Sequence, residues 1–202
     1  VNPEAVWVVQ AWQACPHPEM ISHLRNGDML VLDLFSESRP QWGDPESTWY
    51  RKNGFEGHNW AYCMLLNYGG NVGLFGKLQH VVDEFYKARN SRFSSTMRGV
   101  GLTMEGIENN PVMYELVCEL PWSTADADRI VWSQWLCRYV QARYGNVSNP
   151  NVIAAWLLLA RSIYGCPADN VSQGCRESVF CARPSLDAKW VSSWAETVDY
   201  YE

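Results

Sequence analysis

Positive charge is scarce in this sequence. Its 16 Lys and Arg stand against 22 Asp and Glu, for a net charge of -6 and a pI near 5.2. Binding a phosphate backbone needs clustered cations, so nucleic acid is not expected as a partner. Long hydrophobic runs are also missing. The longest candidates, such as 152–160, fall well short of the roughly 18 apolar residues of a membrane span, so no span is expected. Only four His are present, and the Cys spacings match no zinc pattern. No metal site and no cofactor are therefore expected. No Gly-x-Gly-x-x-Gly or Walker pattern follows any apolar run, which argues against dinucleotides and phosphates. The turn Gly69-Gly70-Asn71-Val72-Gly73 is rich in glycine but lacks both the fingerprint spacing and the lysine. There is no low-complexity tract and no Gly/Ser linker. Val1 leads straight into an apolar run with no Met and no signal peptide, so the chain reads as processed or truncated, with any targeting signal outside it.

What is present is a globular composition, 47% hydrophobic and 19% charged over 202 residues, enough for one large domain or two small ones. The chain carries 11 Trp and 10 Tyr. Flat rings with a polar edge stack on the C–H faces of sugars, although the same rings also fill large cores. Among the seven Cys, Cys166, Cys175 and Cys181 lie in a stretch rich in Gly, Asn and Ser, the setting of a small disulfide loop. Cys15, Cys63, Cys118 and Cys137 lie in apolar segments and read as buried thiols. Two sequons, Asn146-Val147-Ser148 and Asn170-Val171-Ser172, matter only in a eukaryotic secretory setting. Together these favour an oxidising, extracytoplasmic compartment.

The first 120 residues repeat one pattern: an apolar run, a polar or aromatic end, a loop, then an amphipathic stretch. The runs cover 6–12, 29–35, 60–67 and 96–105. They are short and bulky, as fully buried parallel strands are. Their starts lie about 23 to 36 residues apart, the spacing of βα units. Between the last two runs, Leu74, Leu78, Val81, Val82 and Phe85 fall at helical spacing within 73–90. Beyond residue 120 the pattern is helical throughout. Asn110 with Pro111 predicts a capped helix through Leu120. A helix over 127–144 carries Ile130, Val131, Trp135, Leu136 and Tyr139 on one face, and Gly145 stops it. Asn149-Pro150 caps another, running to Tyr164, and Ser185 caps a last one with the stripe Leu186, Trp190, Trp194 and Val198. Four parallel βα units fit an open doubly wound sheet, or half of an eight-stranded barrel.

In both architectures functional residues gather where the strands end. Those ends read Gln10-Ala11-Trp12, then Asp33-Leu34-Phe35-Ser36-Glu37, then Tyr62 to Tyr68, then Met104-Glu105-Gly106-Ile107-Glu108. Carboxylates, aromatics and an amide around one mouth are what sugar hydrolysis requires. Glu105 follows an apolar strand and precedes Gly106, which lets the backbone turn sharply. Glu108 reads as a capping or supporting residue for the helix at Pro111. Asp33 and Glu37 could act on substrate or orient its neighbours, and Asp33, set in an apolar run, needs a partner if buried. A nucleophilic Cys63 has only His58 nearby, which precedes it on the same run, and no Asp/His relay is visible.

Four segments resemble the α-N-acetylglucosaminidases of glycoside hydrolase family 89. They are Val6-Trp7-Val8-Val9-Gln10-Ala11-Trp12, Leu30-Val31-Leu32-Asp33-Leu34-Phe35-Ser36-Glu37, Tyr62-Cys63-Met64-Leu65-Leu66-Asn67-Tyr68-Gly69-Gly70-Asn71, and the run from Gly99 to Pro111 that contains Met104-Glu105-Gly106-Ile107. Arg183-Pro184-Ser185-Leu186 matches further on, so the resemblance covers nearly the whole chain. It implies an α/β plus all-α fold: the second half of a (β/α)8 TIM barrel over 1–120, then the start of an α-helical C-terminal domain over 121–202. It implies a retaining hydrolase of terminal α-linked N-acetylglucosamine, notably in heparan sulfate, that needs no cofactor or metal. Glu105 takes the place of the nucleophile, and Trp12 and Asn67 line the sugar pocket. Tyr62 stands where the lysosomal members have Trp. Asp33 and Glu37 complete the expected substrate-binding set. The acid/base Glu of the family belongs to a segment upstream of Val1. The expected partners are therefore a carbohydrate and the N-terminal half of the same protein, and the isolated chain is expected to be inactive. Departures from the lysosomal pattern favour a bacterial periplasmic or secreted protein over a lysosomal one. The reading from another class is a carbohydrate-binding or structural module with a degenerate site.

Overall fold

A computed structural model describes residues 2, 4–12, 17–43, 53–66, 74–105, 110–123, 129–145 and 149–165. The chain forms two compact units, one of Val1–Leu65 with Asp83–Thr103 and one of Leu66–Val82 with Met104–Glu202.

The first unit is built on a parallel sheet of β1 (Trp7–Ala11), β2 (Met29–Asp33), β3 (Asn59–Met64) and β4 (Met97–Leu102), in sequential order. Every pairing is parallel and in plain register, apart from a shift between Trp60 and Ala61 where β4 inserts a residue. All four apolar runs thus form strands; β1, β2 and β3 extend into the residues read as strand ends (Gln10 and Ala11, Asp33, and Tyr62 to Met64), while β4 stops before Met104. The expectation of full burial holds for β3 from Trp60 onward, while β2 alternates buried Met29, Val31 and Asp33 with half-buried Leu30 and Leu32. It fails at the edges, where Val6 just before β1, Trp7 and Val8 on β1, and Leu102 at the end of β4 are exposed, because among the described residues each of these strands has a neighbour on one side only. The order leaves every strand end of one polarity on the same rim.

The helix-side core centres on Trp60. Its ring stacks on Trp42 at 5.6 Å and 9°, and its indole N–H donates to the Phe93 carbonyl. Phe93 fills the space beside Gly43 and Gly54, where a Cβ would stand 2.2 and 2.5 Å from the ring. The one-turn element α2 (Asn53–Glu56) has left-handed dihedrals at Gly54 and Phe55, and Glu56 also has positive φ. Two non-glycine residues held there store backbone strain. The short helix α1 (Pro18–His23) is tied down by His58, whose Nε2 lies 2.9 Å from the Ile21 carbonyl.

The boundary between the units falls within α3 (Leu78–Arg89), which lies inside the expected 73–90 stretch. The second unit contains α4 (Pro111–Glu119), α5 (Trp132–Tyr144) and α6 (Pro150–Arg161). Asn149 caps α6 as expected, its side chain accepting from the Asn151 N–H, and Gly145 ends α5 with φ 79°. Asn110 corrects the expectation of a cap: its side-chain oxygen accepts from Phe75 N–H and from the Tyr164 hydroxyl instead, so it ties three segments together. The α6 helix stops at Arg161: Ser162 leaves the helical dihedrals with φ -112° and ψ -98°, and the Tyr164 N–H reaches back to the Leu159 carbonyl. Cys118 is also a correction. It is exposed, since α4 turns Val112, Met113, Leu116 and Val117 inward and Cys118 away from them. The Cys166, Cys175 and Cys181 loop, Cys15, both sequons and the helix at Ser185 lie outside the described residues. Among the described residues no helix is long and apolar enough to cross a membrane.

Candidate active site

At the rim of the first unit, the chain following β1 carries Trp12, half-buried, with its ring 6.1 Å from that of Phe35 and tilted by 42°. Asp33 closes β2 and is fully buried. Its Oδ2 accepts from the backbone N–H groups of Gln41 at 2.8 Å and Trp42 at 3.0 Å. The partner that burial demanded is therefore the chain's own loop. Glu37 is buried as well, and its Oε1 accepts from the Leu65 N–H at 3.0 Å, while the Ser36 N–H donates to the Cys63 carbonyl. Asp33 thus holds the loop that follows β2, and Glu37 holds the end of β3. Hydrogen bonds to an ionised acceptor are among the stronger ones a protein makes.

Tyr62 lies in the core, edge-on to Phe85 at 5.7 Å and 87°. Its hydroxyl has no hydrogen-bond partner among the described residues. Burial pushes the phenol well above its usual range, and the neighbouring charges of Glu37, Glu84 and Asp33 push it further. Cys63 is buried too, and burial, with Asp33 and Glu37 beside it, raises its thiol from 9.0 to about 12. A thiol held that high is not a nucleophile at neutral pH. His58 sits at the opposite end of β3, bonded to Ile21, so the cysteine hydrolase reading has no geometry behind it.

Three of the residues read from sequence as pocket groups, Asp33, Glu37 and Tyr62, are thus core residues, with exposures of 0%, 2% and 0%. Asn67, Gly106 and Glu108 lie outside the described residues. In the second unit Glu105, three positions past the end of β4, is exposed. Sequence reasoning passed over Thr103. Its hydroxyl lies 2.8 Å from the Leu34 carbonyl and 3.2 Å from the Met64 carbonyl, and its N–H donates to Met64 at 3.0 Å. The only available signal was a hydroxyl residue at the end of a glycine-rich strand. Among the described residues no group of three or more His, Cys, Asp or Glu could hold a metal ion.

A sequentially ordered parallel sheet, with its polar residues gathered past the strand ends, defines an α/β chain of the TIM-barrel class. The chain belongs to the α-N-acetylglucosaminidase family: residues 1–124 match the model of its tim-barrel domain and residues 135–202 that of its C-terminal domain. It is 36% identical to human α-N-acetylglucosaminidase over 211 residues, a match that covers all of this chain and 27% of the human protein. A family 89 glycoside hydrolase of Clostridium perfringens, solved as a double Glu→Gln variant with its substrate GlcNAc-α-1,4-galactose, is 30% identical with a TM-score of 0.79. The alignment covers all of this chain and 21% of that one. A second structure from the same organism, in complex with PUGNAc, is 32% identical with a TM-score of 0.76, covering 98% of this chain and 21% of that one. The chain spans about a quarter of the length of the relatives it matches.

Proposed function

We propose that this chain is the nucleophile-bearing part of a retaining glycosidase that removes terminal α-linked N-acetylglucosamine. The observation that carries the reading is Glu105, exposed just past the end of β4, where parallel α/β folds place their reacting groups. Its carboxylate attacks the anomeric carbon, and the glycosidic oxygen leaves with a proton from a second carboxylic acid. That second group then deprotonates the water that releases the sugar. The two carboxyl groups must stand about 5 to 5.5 Å apart. Asp33 and Glu37 are engaged with backbone amides in the core, which supports a second carboxyl supplied by the remainder of a longer protein. On this reading the domain change falls near residue 121, and the complete protein works outside the cytoplasm. Trp12 and Asn67 hold the sugar, while Asp33, Glu37 and Tyr62 support the rim from beneath.

The buried state of Asp33 and Glu37 also favours a second reading for the chain in isolation, a carbohydrate-binding module that does no chemistry. One experiment separates the two. The complete protein and its Glu105→Gln variant are assayed on an aryl α-N-acetylglucosaminide, and the anomer first released is identified by NMR. The expected result is hydrolysis giving the α-sugar first, and a loss of about 10⁴-fold or more in the variant, the order seen when one member of a catalytic unit is removed. A variant that keeps its rate would place the nucleophile elsewhere, and a complete protein that binds the sugar but never cleaves it would establish the binding module.

A further inference from the structure

The hydroxyl of Thr103 makes a connection that the sheet itself cannot. In a parallel sheet, backbone bonds join adjacent strands only. Strands β2 and β4 are not adjacent, because β3 lies between them. Yet Thr103, the residue after β4, places its Oγ1 2.8 Å from the carbonyl of Leu34, the residue after β2. The Thr103 N–H meanwhile donates to the Met64 carbonyl at the end of β3. The Leu34 N–H in turn donates to the Ala11 carbonyl at the end of β1. One side chain and five backbone groups thereby tie all four strand ends into a single row. Its last member stands two residues before Glu105.

We infer that Thr103 is a positioning residue for the Glu105 nucleophile, an inference that rests on the function proposed above. The backbone amide of Thr103 already anchors this strand end to β3, so the hydroxyl adds direction rather than attachment. A carboxylate that must reach an anomeric carbon gains rate from being held in place before substrate arrives, and displacements of about 1 Å cost about a hundredfold. Thr103 touches neither sugar nor leaving group in this scheme. Its whole effect passes through the carboxylate two residues on.

The test uses the complete enzyme in four forms: parent, Thr103→Val, Thr103→Ser and Glu105→Ala. The valine is isosteric and lacks only the hydroxyl. The expectation is a fall in kcat of about 10- to 100-fold with KM within about twofold of the parent, and recovery of most of the rate in the serine variant. The Glu105→Ala background with added azide supplies the decisive comparison. Azide then attacks the anomeric carbon as the aryloxide departs, and the protein's own nucleophile is no longer involved. If Thr103 acts through Glu105, adding Thr103→Val to this background leaves the azide-supported rate unchanged. The inference is overturned if Thr103→Val keeps the parent kcat, if serine loses as much as valine, or if the azide-supported rate falls by the same factor. Should the valine variant not fold, as read by thermal unfolding, Thr103→Ala removes the same hydroxyl and carries the same expectations. An inactive Glu105→Ala enzyme that azide revives supports the underlying reading on its own. Parent-like activity in Glu105→Ala without azide would sink that reading, whatever Thr103 does.

Discussion

Cys63 and Gly101 face each other in register on neighbouring strands, and the Cys63 sulfur lies 2.6 Å from where a Cβ on Gly101 would stand. The thiol occupies the volume that the missing side chain of Gly101 leaves open. Buried thiols behave as small hydrophobes, so the pair acts as a packing unit.

That contact makes Gly101→Ala an overpacking change, expected to cost about 1–3 kcal/mol. The added methyl meets sulfur rather than backbone, so shortening Cys63 should relieve it. In a double-mutant cycle read by urea unfolding, Cys63→Ala with Gly101→Ala should be more stable than the sum of the single changes predicts. Simple additivity of the two costs would show that the side chains do not meet.

Alkaline titration offers a second test of the same residue. The folded thiol titrates at about 12 against an ordinary value of 9.0. A pKa raised by folding means that the folded state keeps its proton longer. The stabilisation is complete below pH 9 and drains away as pH rises toward 12, because the unfolded chain releases its proton first. Unfolding midpoints collected from pH 8 to 10.5 should fall in the parent and fall less in Cys63→Ala. In the folded protein at pH 8, a thiol reagent should modify exposed Cys118 and leave Cys63 untouched. Rapid labelling of Cys63 under those conditions would contradict both its burial and its raised pKa.

Tyr62 invites the opposite kind of substitution. Its ring is packed and its hydroxyl has no partner among the described residues. Tyr62→Phe should therefore be neutral or stabilising by about 1 kcal/mol, since removing an unsatisfied buried polar group recovers its desolvation cost. Tyr62→Ala should cost about 3–5 kcal/mol through the cavity it leaves. A phenylalanine variant markedly less stable than the parent would mean that the hydroxyl is bonded after all.

The strands were legible because each apolar run was dense enough to leave no other reading, and the rim followed from where the runs ended. The depth of individual side chains was not legible. Asp33 occupies a strand end, where a polar residue faces either a mouth or a loop, and alternation along the strand cannot distinguish the two. The loop at Gln41 and Trp42 that folds back over Asp33 decides the matter, and it forms contacts across eight and nine residues that no periodicity encodes. Asn110 failed as a cap for the same reason: a proline after an asparagine signals a helix start, but Phe75 and Tyr164 lie far along the chain and compete for its oxygen. Thr103 carries no pattern at all, since its importance comes from reaching past a strand.

The sequential order of the sheet also bears on how the protein is made. Within this chain, β2, β3 and β4 each pair with the strand synthesised just before them. The sheet can grow at one edge as the polypeptide emerges, each arriving βα segment docking on a finished template. Searching is then local at every step, which keeps the entropic cost of loop closure low for a parallel architecture. The Thr103 tie comes last in that order, because it needs the ends of β2, β3 and β4 all in place, and so it marks the point at which these strand ends have met.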